Sequence, residues 1–131
     1  MAKLGERIQS ADWKGEKHVP VIECPDEVRG DEAFQVKATV GKAIAHPNTT
    51  AHHIRWIALY FQPEGEKFTC EVGRFEFGAH GESTKAPDEG PVWTQSEVSV
   101  SMKLKKAGTL HAVSLCNIHG LWESAKDIKV R

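Results

Sequence analysis

The sequence contains no apolar run long enough to cross a bilayer as a helix. It has almost no net charge: 17 Lys and Arg stand against 18 Asp and Glu, giving −1 at pH 7. No overall field therefore draws nucleic acid or an anionic membrane surface, and any attraction of an anion has to be local. Cysteine is scarce, with only Cys24, Cys70 and Cys116, an odd number spread along the chain. The first residues, Met1 to Arg7, lack the apolar core of a secretion signal. An odd cysteine count without such a signal does not describe a disulfide framework, and a cytoplasmic setting is expected. Methionine is scarcer still, at Met1 and Met102 only. Internal repeats, low-complexity tracts and sustained helical periodicity are missing as well. What is left is 131 residues of ordinary globular composition. They are expected to form a single domain, 1–131, with residues 1–17 packing on it as an N-terminal segment.

The pattern that is present has period two. Phe34, Val36, Ala38 and Val40 alternate with polar neighbours, as do Val98, Val100, Met102 and Leu104. Further strands are expected over 18–24, 52–61, 68–77, 110–116 and 128–131, separated by turn residues such as Pro25-Asp26-Glu27, Arg29-Gly30-Asp31, Pro63-Glu64-Gly65 and Lys106-Ala107-Gly108. Pro20 demands an edge or a bulge. A short helical turn is expected within 5–10, with Trp13 pinning it to the body. About seven short strands predict an all-β chain folded as two packed antiparallel sheets. Cys24 and Cys70, both in strand-like runs, read as small buried hydrophobes.

Cys116 stands apart, because His119 follows at a spacing from which thiolate and imidazole can reach one ion. His46 and His52 flank the loop Pro47-Asn48-Thr49-Thr50-Ala51, and His18 follows the charged turn Gly15-Glu16-Lys17. Pro47 biases His46 towards extended backbone, which holds an imidazole still on a loop. His53 would point to the opposite face from His52 on a strand. His80 and His111 have no partner at ligand spacing. The converging set is therefore His18, His46, His52, Cys116 and His119, all at strand ends or in loops. Imidazole and thiolate together suit zinc, copper or iron. Four-coordinate zinc would leave one of the five idle. A blue-copper site wants two histidines, a cysteine and usually an axial methionine, but neither methionine follows His119. Five protein donors suit an ion accepting five or six, and a mononuclear iron centre is the reading carried forward.

Three segments then resemble a known family: Trp13-Lys14-Gly15-Glu16-Lys17-His18-Val19-Pro20, His46-Pro47-Asn48-Thr49-Thr50-Ala51-His52-His53-Ile54 and Cys116-Asn117-Ile118-His119-Gly120-Leu121-Trp122. They are similar, in order and over nearly the whole chain, to the single-iron (neelaredoxin-type) superoxide reductases of the desulfoferrodoxin family. The resemblance implies an immunoglobulin-like β-sandwich. It implies an iron cycling between Fe2+ and Fe3+, with His18, His46, His52 and His119 equatorial and Cys116 axial. It gives Glu16 the place of the carboxylate that becomes a sixth ligand in the ferric state, and Lys17 that of the lysine beside the open position. It implies one-electron reduction of superoxide to hydrogen peroxide without release of dioxygen, rubredoxin as electron donor, and a homotetramer. No Cys-x-x-Cys is present, so the four-cysteine iron domain of two-iron relatives is not expected.

Within that frame Lys17 draws in the anion and steadies charge growing on oxygen. Backbone amides of Asn117 and Ile118 are expected to point at the Cys116 sulfur and tune it. Two other readings stay open from the residues themselves: an electron carrier, iron-based or cupredoxin-like, without catalysis, and a sandwich module whose histidines hold structural zinc.

Overall fold

Eight strands make up nearly all the regular secondary structure of the computed structural model, which describes residues 1–131. They are β1 (Pro20–Glu23), β2 (Glu27–Val28), β3 (Phe34–Val40), β4 (Ile54–Pro63), β5 (Cys70–Glu76), β6 (Glu97–Met102), β7 (Gly108–Cys116) and β8 (Gly120–Val130). They form a three-stranded sheet, β1-β3-β6, and a five-stranded sheet, β2-β8-β7-β4-β5. The only helical piece is a 3-10 turn at Leu4–Glu6. No helix is long and apolar enough to cross a membrane.

The period-two reading holds where it was clearest. Val36, Ala38 and Val40 of β3 are buried while Gln35 and Lys37 are exposed. Val98 of β6 and Leu104 beyond it also face inward. Opposite them Ile57, Leu59, Leu110, Ala112 and Ile128 of the larger sheet complete one continuous core. Burying both inner faces is what makes two short sheets stable. The fold is the all-β, immunoglobulin-like sandwich. Pro20 opens β1, an edge strand, where its missing N–H costs no ladder bond.

Three details differ from expectation. The last strand is not the short piece 128–131 but the eleven-residue β8, hairpinned to β7 with Cys116 opposite Gly120. Glu27–Val28 is a two-residue strand, not turn, and pairs parallel with β8, so the sheets are not wholly antiparallel. Cys70 is exposed rather than buried, because it opens the edge strand β5. At the N-terminus Gln9 exchanges backbone bonds with β8: its N–H donates to Leu121 O at 3.0 Å, and Glu123 N–H donates to Gln9 O at 2.8 Å.

The registers place five strand ends at one pole. β1 starts where β3 ends (Pro20 opposite Val40), and β4 starts where β7 ends (Ile54 opposite Cys116). β8 starts in the same place. A bulge between Ile54 and Trp56 twists β4 at this rim.

Candidate metal centre

The chain reaches that pole in three pieces: the segment entering β1, the loop between β3 and β4, and the turn between β7 and β8. Each carries part of the set singled out above. His18 is buried just ahead of β1, and its carbonyl accepts a hydrogen bond from the buried Ser114 hydroxyl of β7 at 3.0 Å. In the loop, Gly41 has φ +90°, and a Cβ there would stand 2.8 Å from the His46 nitrogen. Only glycine lets the chain turn so close to His46. Thr49 closes the other end: its hydroxyl accepts from His52 N–H at 3.0 Å, and its N–H donates to His52 O at 2.9 Å. Cys116 ends β7, and Gly120, at φ +79°, reverses the chain after His119.

His18 Nε2 lies 3.1 Å from His119 Nδ1, and His119 Nδ1 lies 3.2 Å from His52 Nε2. Cys116 Sγ lies 3.7 Å from the same His119 nitrogen. The donor atoms of these four residues all fall within 4.8 Å of one another. His46 completes the figure. Its ring centroid is 4.9 Å from that of His18 and 4.8 Å from that of His52. The His52–His119 and His119–His18 centroid distances are 5.0 and 4.8 Å, while His18–His52 is 6.4 Å. Four near-equal sides and a longer diagonal describe a square of imidazoles. At metal–nitrogen distances of roughly 2.1 Å, neighbours at a right angle stand about 3 Å apart, as the two measured nitrogen pairs do.

His46 supplies the sharpest test of whether an ion fits. Its Nδ1 is 2.6 Å from Pro47 O, so that nitrogen carries the proton and Nε2 is left with a lone pair. Nε2 is buried and has no hydrogen-bond partner. An orphaned buried acceptor is costly unless something binds it. Burial holds the His46 pKa down at about 4, helped by the neighbouring His18, His52 and Lys17, although the Pro47 bond pulls the other way. Burial, then His119, His18 and Lys17, also lowers that of His52. Neutral imidazoles are what ligation requires. The donor set, four imidazole nitrogens and one sulfur, suits a borderline transition metal, and iron is among those it fits. Met102 lines a groove with Phe61 and Pro63 at the opposite pole, and Met1 is exposed, so no methionine is placed to serve as the axial ligand of a blue-copper site.

The surroundings fix the rings. Trp122 stacks on His18 at 4.8 Å and 13°, and its indole N–H donates to His119 O at 3.2 Å. Cys116 is 1% exposed. The amide pointing at its sulfur is that of His119, at 3.4 Å, not those expected of Asn117 and Ile118. Asn117 N–H instead donates to His53 O at 3.1 Å, because the turn carries that amide towards the neighbouring loop.

Glu16 and Lys17 are half-buried beside the square. Glu16 is not among the clustered donors. Its Oε1 accepts from His18 N–H at 2.9 Å and lies 2.6 Å from His18 Nδ1, and the His18 bond lowers its pKa. Lys17 forms no ion pair, yet its charge reaches His46 and His52. His53 and His80, outside the donor set, are buried and stacked on each other at 3.6 Å. His111 lies in mid-β7, opposite Tyr60 and Ala125 and away from the pole. Ser114, Asn117 and Trp122 were not assigned side-chain roles from the sequence. Asn117 and Trp122 lie inside the Cys116–Trp122 motif, but the partners of Asn117, and His18 on which Trp122 stacks, are distant in the chain.

Residues 10–125 match the family model described as desulfoferrodoxin. The chain is 58% identical over 129 residues to a neelaredoxin of Megalodesulfovibrio gigas, covering 98% of this chain and 99% of that one. It is 57% identical over 121 residues to a superoxide reductase of Pyrococcus furiosus, covering 92% and 95%. Among solved structures, a superoxide reductase (neelaredoxin) of Archaeoglobus fulgidus in the reduced form superposes with a TM-score of 0.85 at 51% identity, over 93% of this chain and 98% of that one.

Proposed function

The chain belongs to the desulfoferrodoxin family, and from that premise we propose that it is a superoxide reductase using one mononuclear non-haem iron. The observation that carries the proposal is the square of four imidazoles beside a buried thiol, with His46 Nε2 buried and partnerless. We read residues 1–131 as one iron-binding unit, and His18, His46, His52, His119 and Cys116 as the residues that hold the ion. Iron held by these residues would supply the single electron that, with two protons, converts superoxide into hydrogen peroxide, an external donor restoring it.

The chain's own residues set the conditions. The Cys116 thiolate donates electron density, as cysteine does to haem iron. The His119 amide at 3.4 Å from its sulfur moderates that donation. Lys17, a cation on a nearly neutral chain, gathers the anion at this pole and stabilises negative charge on oxygen. Glu16 orients His18 through Nδ1 in the conformation seen here, a carboxylate–histidine pairing common behind metal ligands. To hold ferric iron as well, as the family likeness suggests, Glu16 would have to give up its bonds to His18. Trp122 stacks against the His18 ring, and the buried Ser114 hydroxyl anchors the His18 backbone carbonyl. Rubredoxin as donor, a homotetrameric assembly and a cytoplasmic setting complete the reading by likeness to the family.

The test is a superoxide assay on iron-loaded protein with a reductant present. Oxidation of the reductant in step with superoxide loss, with peroxide formed and no dioxygen, is expected. Dioxygen release would point to dismutation, and no consumption of superoxide would leave only electron transfer. Zinc and no iron in protein purified without added metal would defeat the proposal.

A further inference from the structure

We propose that Asn117, which is not a ligand, is the positioning residue that sets the gap between the two halves of the donor set. The inference rests on the metal-binding reading above and deepens it. His46 and His52 come from one loop, Cys116 and His119 from another, and no ladder of either sheet joins residues 51–53 to residue 117. Three hydrogen bonds from Asn117 bridge that gap. Its N–H donates to His53 O at 3.1 Å, its Oδ1 accepts from His53 N–H at 2.8 Å, and its Nδ2 donates to Ala51 O at 2.9 Å. The residues on both sides of His52 are thereby pinned to the residue that follows Cys116. The side chain must accept at one atom and donate from another, which a short primary amide does; alanine has neither, and the single oxygen of a serine does not reach both partners.

The gripped backbone is held from its far side as well. His53 Nδ1 donates to Thr49 O at 2.8 Å, and its ring lies parallel to that of buried His80 at 3.6 Å and 6°. His80 in turn has its two ring nitrogens 2.8 Å from Asn48 Oδ1 and 2.8 Å from Phe77 O. Asn48 is oriented by its own Nδ2 donating to Thr94 O at 2.9 Å. His53 is thus wedged between Asn117 and the connection that precedes β6. Any slack at Asn117 passes through one peptide unit to His52, whose Nε2 must stay 3.2 Å from His119 Nδ1. Removing an outer partner of this kind costs ten- to hundredfold in metal affinity in other sites.

Cobalt(II) titration of the full metal-free chain separates the possibilities, because a thiolate-to-cobalt absorption reports whether Cys116 and the imidazoles grip one ion. The unchanged protein is expected to show that absorption; its absence would overturn the ligand reading itself. Asn117→Ala is expected to bind cobalt about ten- to hundredfold more weakly, with the absorption of the bound ion displaced and its release to a chelator faster. If Asn117 only stabilises the fold, the metal-free melting temperature falls while affinity and absorption stay put, and the inference fails. Should Asn117→Ala not fold, Asn117→Ser decides, since a hydroxyl cannot span both His53 N–H and Ala51 O. Affinity and absorption unchanged in the serine variant would equally overturn the role.

Discussion

Acid should loosen the metal-free protein in a window set largely by His46. In the unfolded chain this histidine takes up its proton near 6.5; in the folded protein it waits until about 4. Between those values the unfolded state holds more protons, so stability falls as pH drops through the window and is fully present above it. A shift of that size corresponds to about 3 kcal/mol at ~1.4 kcal/mol per unit. His46 is only half-buried, so solvent screening reduces this to about 1–2 kcal/mol, or a melting temperature lower by roughly 3–8 °C. His52, shifted the same way, adds a smaller share. The assay is thermal melting of metal-free protein at about pH 7.5 and about pH 4.5, run beside His46→Gln. Glutamine removes the titrating group, so the variant should lose less stability on acidification. Equal losses in both would refute the reasoning and mean that Nε2 is not a desolvated lone pair. The same shift implies that protons compete weakly with metal at His46 until pH approaches 4.

Cys116→Ser in iron-loaded protein should abolish the thiolate-to-iron absorption band, and an unchanged spectrum would remove Cys116 from the ligand set. Lys17→Ala should slow the reaction with superoxide and flatten its salt dependence. About 3 kcal/mol of attraction at roughly 5 Å and an effective dielectric of about 20 bounds the loss near a hundredfold, and stopped-flow rates across ionic strengths measure it. Gly41→Ala and Gly120→Ala should part company. Both are at positive φ, but the Cβ at 41 meets the His46 backbone at 2.8 Å while that at 120 meets nothing within 4 Å. The first should lose iron and melt several degrees lower, the second should lose about 1 kcal/mol and keep its iron. Iron content and thermal melts decide it.

The strands of the smaller sheet were legible because one face is buried and the other wet, so β3 and β6 alternate cleanly. β8 was not. It is the second strand of the larger sheet, and its middle, Glu123-Ser124-Ala125-Lys126, carries neither alternation nor strong strand formers. Its pairing comes from the turn after His119 and from the ladder with β7, which are tertiary facts. Glu27–Val28 is too short to leave a pattern at all. At the centre, the side chains of His18, His46, His52, Cys116 and His119 could be named because each sits where a strand runs out into a loop. The partners of Glu16 and Asn117 could not. Glu16 turns back on His18 two residues ahead, and Asn117 reaches residues more than sixty positions earlier in the chain.

The strand registers give the molecule two unlike ends. β4 leaves the imidazole square at Ile54 and finishes at Pro63, ten residues or roughly 30 Å away. The hairpin around Gly65 and its neighbour at Ala107 therefore sit at the end of the sheet farthest from the histidines. A fluorescent fusion or an electrode linker attached there would leave the opposite face turned outward, free to meet solution.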